Sequence, residues 1–382
     1  MKPVLVMILT AWLLGPTPAA AEPGLRVDLD RPSAATNVVG ADELRLGTAA
    51  NRMASLRTGF AVYRLPVTRP ADTFAASVDS TVPPETELAV DVRGRHDGQW
   101  SEWTPIGRSA AVLPAASRTV EVRVMVSAPH GVTSPVLRSL TVIPSLSASP
   151  DRAAAPAGLT YRVFATREGL VGGTTANGHV ITRRDHFVAL PSRRGLSSDQ
   201  AGEYSVRVCA ANGRCEWAPV WDVGPWNTRD DYWNQRREQW RDLPRGLPQA
   251  QAAYLDGYNG GKDEFGRRVA NPAGIDLADG TFWDGLRLRT NAWVTVTYLW
   301  TGSGPAGHVD THGTPLNVRA RPTRRAPNVG FAAEYAQVRI ECRTTGDQAV
   351  GTQGRTNVWY RLAEGKFVSA AWIAGGGKAP TC

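Results

Sequence analysis

In the stretch APVWDVGPWN (residues 218–227) one acid, Asp222, stands among Val220, Trp221, Val223, Pro225 and Trp226. A carboxylate in apolar company loses hydration, so such a group is hydrogen-bonded, kept at a rim, or held for chemistry with its pKa raised toward neutrality. A carboxyl still protonated near neutral pH can give a proton to a leaving oxygen, which makes Asp222 a candidate general acid. The plainer alternative is a cap or an ordinary surface acid. Metal chemistry is not indicated. The six histidines are scattered and no CxxC pair is present, and His308 and His312 of HVDTH, although spaced i, i+4, lie among Gly and Pro rather than on a helix. No metal or cofactor is expected.

The elements that would position these residues are mostly strands. Val120, Val122, Val124 and Val126 alternate with Glu121, Arg123 and Met125, and Leu88, Val90 and Val92 alternate with Glu87, Ala89, Asp91 and Arg93. Period-two alternation gives each strand one buried face and predicts an antiparallel β-sandwich over residues 22–144. Trp100 and Trp103 of DGQWSEWTPIG read as core or Arg-stacked aromatics rather than a sugar-stacking platform. The Pro-, Ser- and Ala-rich residues 145–158 read as a linker. A second domain, 159–301, holds short strands at Tyr161–Phe164, His186–Leu190, Tyr204–Cys209, Trp217–Val223 and Trp293–Trp300. Its one helical interval is TRDDYWNQRREQWRDL (228–243), which sets Trp233 and Trp240 on one face. Residues 302–315 read as a second linker before a small β domain, 316–382.

The opening residues point to an exported chain. Lys and Arg number 43 against 35 Asp and Glu, a formal charge of +8 that favours anionic partners. MKPVLVMILTAWLLGPTPAAAEPG has Lys2, an apolar run from Val4 to Leu14, and Ala19 and Ala21 at signal-peptidase spacing, so residues 1–21 read as a secretory signal. The apolar run is well short of the ~20 residues of a membrane span, and no later segment qualifies. Four cysteines in an exported chain predict two disulfides. Cys209 and Cys215 flank Ala211-Asn212-Gly213, which as a hairpin loop would face the two sulfurs across the strands and leave Cys342 for Cys382.

Three pieces of the middle domain occur in a family's order: GGTTANGHV (172–180), DVGPWN (222–227) and GIDLADGTFWDGL (274–286). They resemble the Thr-Thr-Ala-Asn-Gly, Asp-Arg-Gly-Pro-Phe and Ile-Asp-Leu-Ser stretches of the double-psi β-barrel group that includes rare lipoprotein A, barwin and the expansins. His186 of DHFVALP is the nearest match to that family's His before Leu-Pro, one residue further away. Val223 replaces the family's Arg, and some forty residues separate DVGPWN from GIDL where family members are compact. The closing residues LNVRARPTRRAPNVG and NVWYRLAEGKFVSAAWI resemble a bacterial SH3-type (SH3b) domain, from about residue 308 or 316 to 382. The implied architecture is mainly β: an N-terminal antiparallel sandwich, a six-stranded double-psi barrel with a helical insertion, and a C-terminal SH3-like barrel.

The resemblance implies a groove in which Asp222 and Asp276 end neighbouring strands, with His186 orienting one acid or passing a proton. Thr175, Asn177, Trp221, Trp226 and Trp283 would line it for substrate, and Trp359 and Tyr360 would serve the SH3-type domain. Asp276 as a helix cap, His186 as a barrel histidine, Thr175 and Asn177 as turn builders, and Trp359 and Tyr360 as packing residues remain the structural readings. Two carboxylates on one rim suffice for glycan cleavage. The expected function is that of a secreted, wall-associated protein acting on peptidoglycan or another wall polysaccharide, as a lytic-transglycosylase-like enzyme or glycoside hydrolase. The alternative is a non-catalytic, expansin-like polysaccharide binder. A monomer with no nucleic-acid partner is expected; a polyanion-binding reading rests on charge alone.

Overall fold

The computed structural model describes residues 24–40, 42–47, 56–84, 86–96, 98–106, 110–129, 131–146 and 158–382. The expected leader, 1–21, and most of the first linker, 147–157, lie outside the described residues.

The alternating valines build two antiparallel sheets. One contains Ala71–Thr81, Val136–Ser145 and Ala111–Ser117; the other contains Leu56–Leu65, Thr119–Pro129 and Glu87–His96. Phe74, Val92, Val122, Leu137, Leu140 and Val142 fill the space between the sheets. The expectation of one buried face per strand fails for Thr119–Pro129. Glu121, Arg123 and Met125, on its other face, are also buried, because the middle domain covers them. Trp103 lies in that seam between Arg93 at 4.3 Å and Arg123 at 4.5 Å, an Arg-stacked aromatic as its sequence suggests.

The middle domain is a closed six-stranded barrel. Around it run Val188–Leu190, Ala273–Leu277, Leu159–Arg167, Ala292–Tyr298, Ser205–Cys209 and Cys215–Val223, which pairs again with Val188–Leu190. Two pairings are parallel, Leu159–Arg167 with Ala273–Leu277 and Val188–Leu190 with Cys215–Val223. The Cys209–Cys215 disulfide closes the expected Asn-Gly hairpin, and Cys342 pairs with Cys382.

The helix expected over 228–243 does not form. Asp230 and Asp231 are fully buried. Asp230 takes an ion pair from Arg237, and Asp231 Oδ1 accepts from the Glu238 N–H at 2.6 Å, so side chains hold the backbone in turns that compete with helix. Trp240 has φ 57°, a conformation no helix interior uses. The two tryptophans part company: Trp233 stacks on Tyr298 in the barrel core, at 4.9 Å, while Trp240 meets Tyr258. The inserted helix is instead Gln249–Asp256, which buries Ala250, Ala252 and Ala253 and ends at Gly257 with φ 69°. Its apolar face is alanine, too weak a pattern to separate from loop.

Residues 302–315 are not a free linker either. Ala306–Val309 is a strand between Gln337–Arg339 and Ile373–Gly375, so the C-terminal unit begins before Leu316. Asn328–Ala332 pairs in parallel with Cys215–Trp217, making the C-terminal sheet continuous with the barrel. Among the described residues no helix is long and apolar enough to cross a membrane.

Candidate active site

One row of residues crosses four barrel strands. Asp276 is in register with Thr166 on one side and Ala189 on the other, and Ala189 is in register with Asp222. Residues in register present side chains to the same sheet face, and so does a residue two positions along a strand. Glu168, two residues beyond Thr166, therefore joins Asp222 and Asp276, and its N–H donates to the Leu277 carbonyl.

Asp222 Oδ1 accepts from the backbone N–H groups of Ala176 at 2.7 Å and Val223 at 2.8 Å. Ala176 is presented by a tight turn built from Thr175 and Asn177. The Thr175 hydroxyl donates to Asn177 Oδ1 at 2.6 Å, and the Asn177 amide donates to the Ser198 carbonyl. Both side chains are buried in the turn that presents the Ala176 N–H to Asp222. Asp276 Oδ1 accepts from the Thr166 hydroxyl. Its Oδ2 faces Gly224, where a Cβ would stand 4.0 Å away, an ordinary contact distance. Asp276 caps no helix: Asp279 is the residue that precedes the helical turn Gly280–Gly285.

Both Glu168 oxygens are buried, and no donor among the described residues reaches them. The group facing them is the Asp222 carboxyl, so a hydrogen bond between the two acids requires a proton on one of them, and Glu168, held well above its ordinary value, is the one that keeps it. Burial holds the Glu168 carboxyl well above its ordinary value, reinforced by Asp222, Asp276 and Asp279. Burial also raises Asp222, against the opposing pull of the Glu168 bond and the two backbone donors. Asp276 is pushed up to about 7, mainly by burial, with the Asp222 charge adding to it and the Thr166 bond opposing it.

The rim carries aromatic and cationic groups. Trp283, 38% exposed, has the Arg167 guanidinium at 4.8 Å and that of Arg184 at 4.9 Å. Arg167 bonds Asp279 at 2.7 Å. Trp226 is half-buried and donates its indole N–H to Asn271 Oδ1.

Other expected site residues go elsewhere. His186 does not meet either aspartate; its Nδ1 lies 2.8 Å from Glu216 Oε1, which also accepts from the Thr281 hydroxyl. Burial opposes protonation of His186, but the Glu216 carboxylate outweighs it and holds the imidazole above its usual value. Glu216 stands six residues before Asp222 on one strand, roughly 20 Å of extended chain. Trp221 is buried, with its indole N–H on the Ala201 carbonyl and its ring against Phe187. Trp359 and Tyr360 are likewise buried, and Trp359 donates to the Asp347 carbonyl. Thr166 and Glu168 went unrecognised because the strand reading stopped at Phe164, whereas the strand runs to Arg167; an acid straight after a strand end in ATREGL was the available signal.

A closed barrel with uncompensated carboxylates on one face is the class of protein defined here. Residues 159–297, which span that barrel, match the family model of a domain of unknown function, DUF8814. No curated protein matches the chain.

Proposed function

We propose that the protein is a secreted, wall-associated enzyme that cleaves peptidoglycan glycan strands by lytic-transglycosylase chemistry, with the barrel of double-psi type and the C-terminal unit of SH3 type. The observation that carries the reading is the row Glu168, Asp222 and Asp276, buried acids without a cation among them. Buried groups with displaced pKa values and no structural partner are held for chemistry more often than for stability. The two parallel strand pairings are what crossed psi connections require, and they support the barrel type.

The hydrogen bonds divide the roles differently from the sequence reading, which gives the transferable proton to Asp222. Asp222 has one oxygen occupied by two backbone donors and shares a proton with Glu168, so it serves as a fixed negative charge. Asp276, near 7 and with only its Oδ1 engaged by Thr166, is the proton donor. It protonates the bridging oxygen as the C1–O bond breaks, and the Asp222 charge steadies the sugar cation. The 6-hydroxyl of the same sugar then attacks C1 and returns its proton to Asp276. No water is consumed and the acid is regenerated.

Incubation of the full chain with purified peptidoglycan, followed by mass analysis, tests this. Anhydro-muropeptides from the parent and none from Asp276→Asn are expected; no product from the parent overturns the enzyme reading. Trp283 between Arg167 and Arg184 favours a second reading, a non-catalytic glycan binder. Wall binding that survives high salt without any cleavage is its signature, since binding through phosphates alone would fade.

A further inference from the structure

The sandwich, the barrel and the C-terminal unit meet around a cleft of about 630 Å³, separate from the carboxylate row. That volume is in the range of small-molecule sites, roughly 300–1,000 Å³. One wall is the outer face of a sandwich sheet. Arg64, Glu121 and Arg93 stand in register across three strands, and Arg95, two residues after Arg93, faces the same way. Arg93 is already satisfied by Glu121 at 2.7 Å and the barrel's Glu203 at 2.8 Å. Arg64 is not: its side chain is 78% exposed and only its Nε approaches Glu121, at 3.4 Å. Arg95 donates its Nε–H to the Gly98 carbonyl at 3.2 Å, an exposed contact that leaves its terminal nitrogens for a ligand, and its guanidinium sits 5.9 Å from the Trp100 ring. The C-terminal unit contributes Tyr335, a bulky residue at φ 65°, together with Asp310 and Glu334. The left-handed backbone at Tyr335 is costly, and its ring packs beside Trp221 at 6.1 Å, which fixes the side chain at the edge of the cleft.

We propose that this cleft binds a carboxylate-bearing oligosaccharide, with Arg64 and Arg95 taking the carboxylate and Trp100 and Tyr335 flanking the sugar rings. Guanidinium groups match a carboxylate's two oxygens with parallel N–H donors. Asp310 and Glu334 decide against nucleic acid or polyphosphate, because they repel a dense polyanion yet accept hydrogen bonds from sugar hydroxyl and amide groups. The choice of a glycan rests on the wall reading above; the binding requires no cleavage.

Calorimetric titration of the full chain tests it with four probes: a tetrasaccharide carrying free muramic carboxylates, an oligogalacturonate, neutral chitotetraose and polyphosphate. At least one carboxylate probe is expected to bind about 10-fold or more tightly than chitotetraose, the scale of one charge-assisted contact. Preference between the first two identifies a wall or a uronate source. Arg95→Gln and Arg64→Gln, each checked for fold by circular dichroism, should remove that advantage, while Asp276→Asn should leave it intact. Equal affinity for chitotetraose, equal or tighter affinity for polyphosphate, or unchanged affinity in the Arg64→Gln, Arg95→Gln double variant overturns the proposal. A chain that binds through Arg95 but releases nothing from peptidoglycan keeps this site and loses only the catalytic reading.

Discussion

Charge is buried in two regions of this molecule, and it is handled in opposite ways. In the seam between sandwich and barrel, acids meet guanidinium groups. Arg123 and Asp91 pair at 2.7 Å with side chains 2% and 1% exposed, Arg93 bridges Glu121 and Glu203, and Arg194 pairs with Asp231 at 2.6 Å. At the barrel mouth Glu168, Asp222 and Asp276 face one another. Desolvation costs are similar in kind at both places, but only the seam offsets them with opposite charge. Paired charge fixes how two domains sit where the pairs cross between them, as Arg93 with Glu203 at 2.8 Å and Arg193 with Glu87 at 3.3 Å do. Unpaired charge fixes nothing and instead keeps protons on carboxyls at neutral pH, which is a chemical property.

Breaking the seam should give the largest effect. Arg93→Met leaves Glu203 buried without its cation, leaves Glu121 with only the exposed Arg64 at 3.4 Å, and removes a stack from Trp103. A loss of about 3–5 kcal/mol is expected, read from denaturant unfolding of the full chain. A loss under about 1 kcal/mol would erase the distinction between the two regions. At the mouth the matching change acts on activity and spares the fold: Asp276→Asn should lower glycan cleavage by about 100-fold or more, with binding retained. Asp222→Asn should also lower it, by weakening the fixed charge opposite the proton donor.

The regions should differ again in their response to pH. Asp276 in the folded protein, at about 7, lies above the ~3.9 of an unfolded aspartate. Between those values the folded state holds a proton that the unfolded chain has released, so the group makes stability fall as pH rises through this window. Each pKa unit corresponds to about 1.4 kcal/mol. Relative to the parent, Asp276→Asn should therefore be more stable at pH 8 than at pH 5, seen as a growing difference in Tm. Parallel pH dependence in the two proteins would mean that Asp276 does not titrate there. The same proton predicts that cleavage declines above about pH 7.

How much of this was legible follows from where the determinants lie. Alternating valines announced the sandwich, and Asn-Gly between cysteines announced a disulfide, because both signals are local. The seam was half visible: Trp103 looked Arg-stacked, but nothing in the sequence says that the Glu121 and Arg123 face would be covered by another domain. Residues 228–243 have the composition of a helix, and it took the buried Asp230 and Asp231, bonded within the segment to Arg237 and the Glu238 N–H and outside it to Arg194, to hold them in turns. Asp222 and Asp276 were found from short stretches. Glu168 was not, since its partner is 54 positions away across the barrel, 222 minus 168.

Glu168 also gives the finest test of the comparison, with the smallest expected change. Glu168→Gln replaces a carboxyl that, when protonated, donates an O–H to Asp222 with an amide that can donate an N–H in nearly the same shape. If Glu168 carries its proton throughout the neutral range, the substitution exchanges one neutral donor for another, and stability should move by no more than about 1 kcal/mol at either pH 5 or pH 8. The alkaline limit of cleavage should stay near 7, because burial, the main cause that raises Asp276, and the Asp222 charge that adds to it both remain in place. An ionised Glu168 predicts something else. Removing its charge from a group of buried acids would stabilise the protein at pH 8 well beyond that margin, and cleavage would fail at a lower pH as Asp276 lost a repelling neighbour. Carboxyl titration of Glu168→Gln by ¹³C NMR separates the two cases without requiring activity: an unmoved Asp276 places the resting proton on Glu168, and a downward shift removes it.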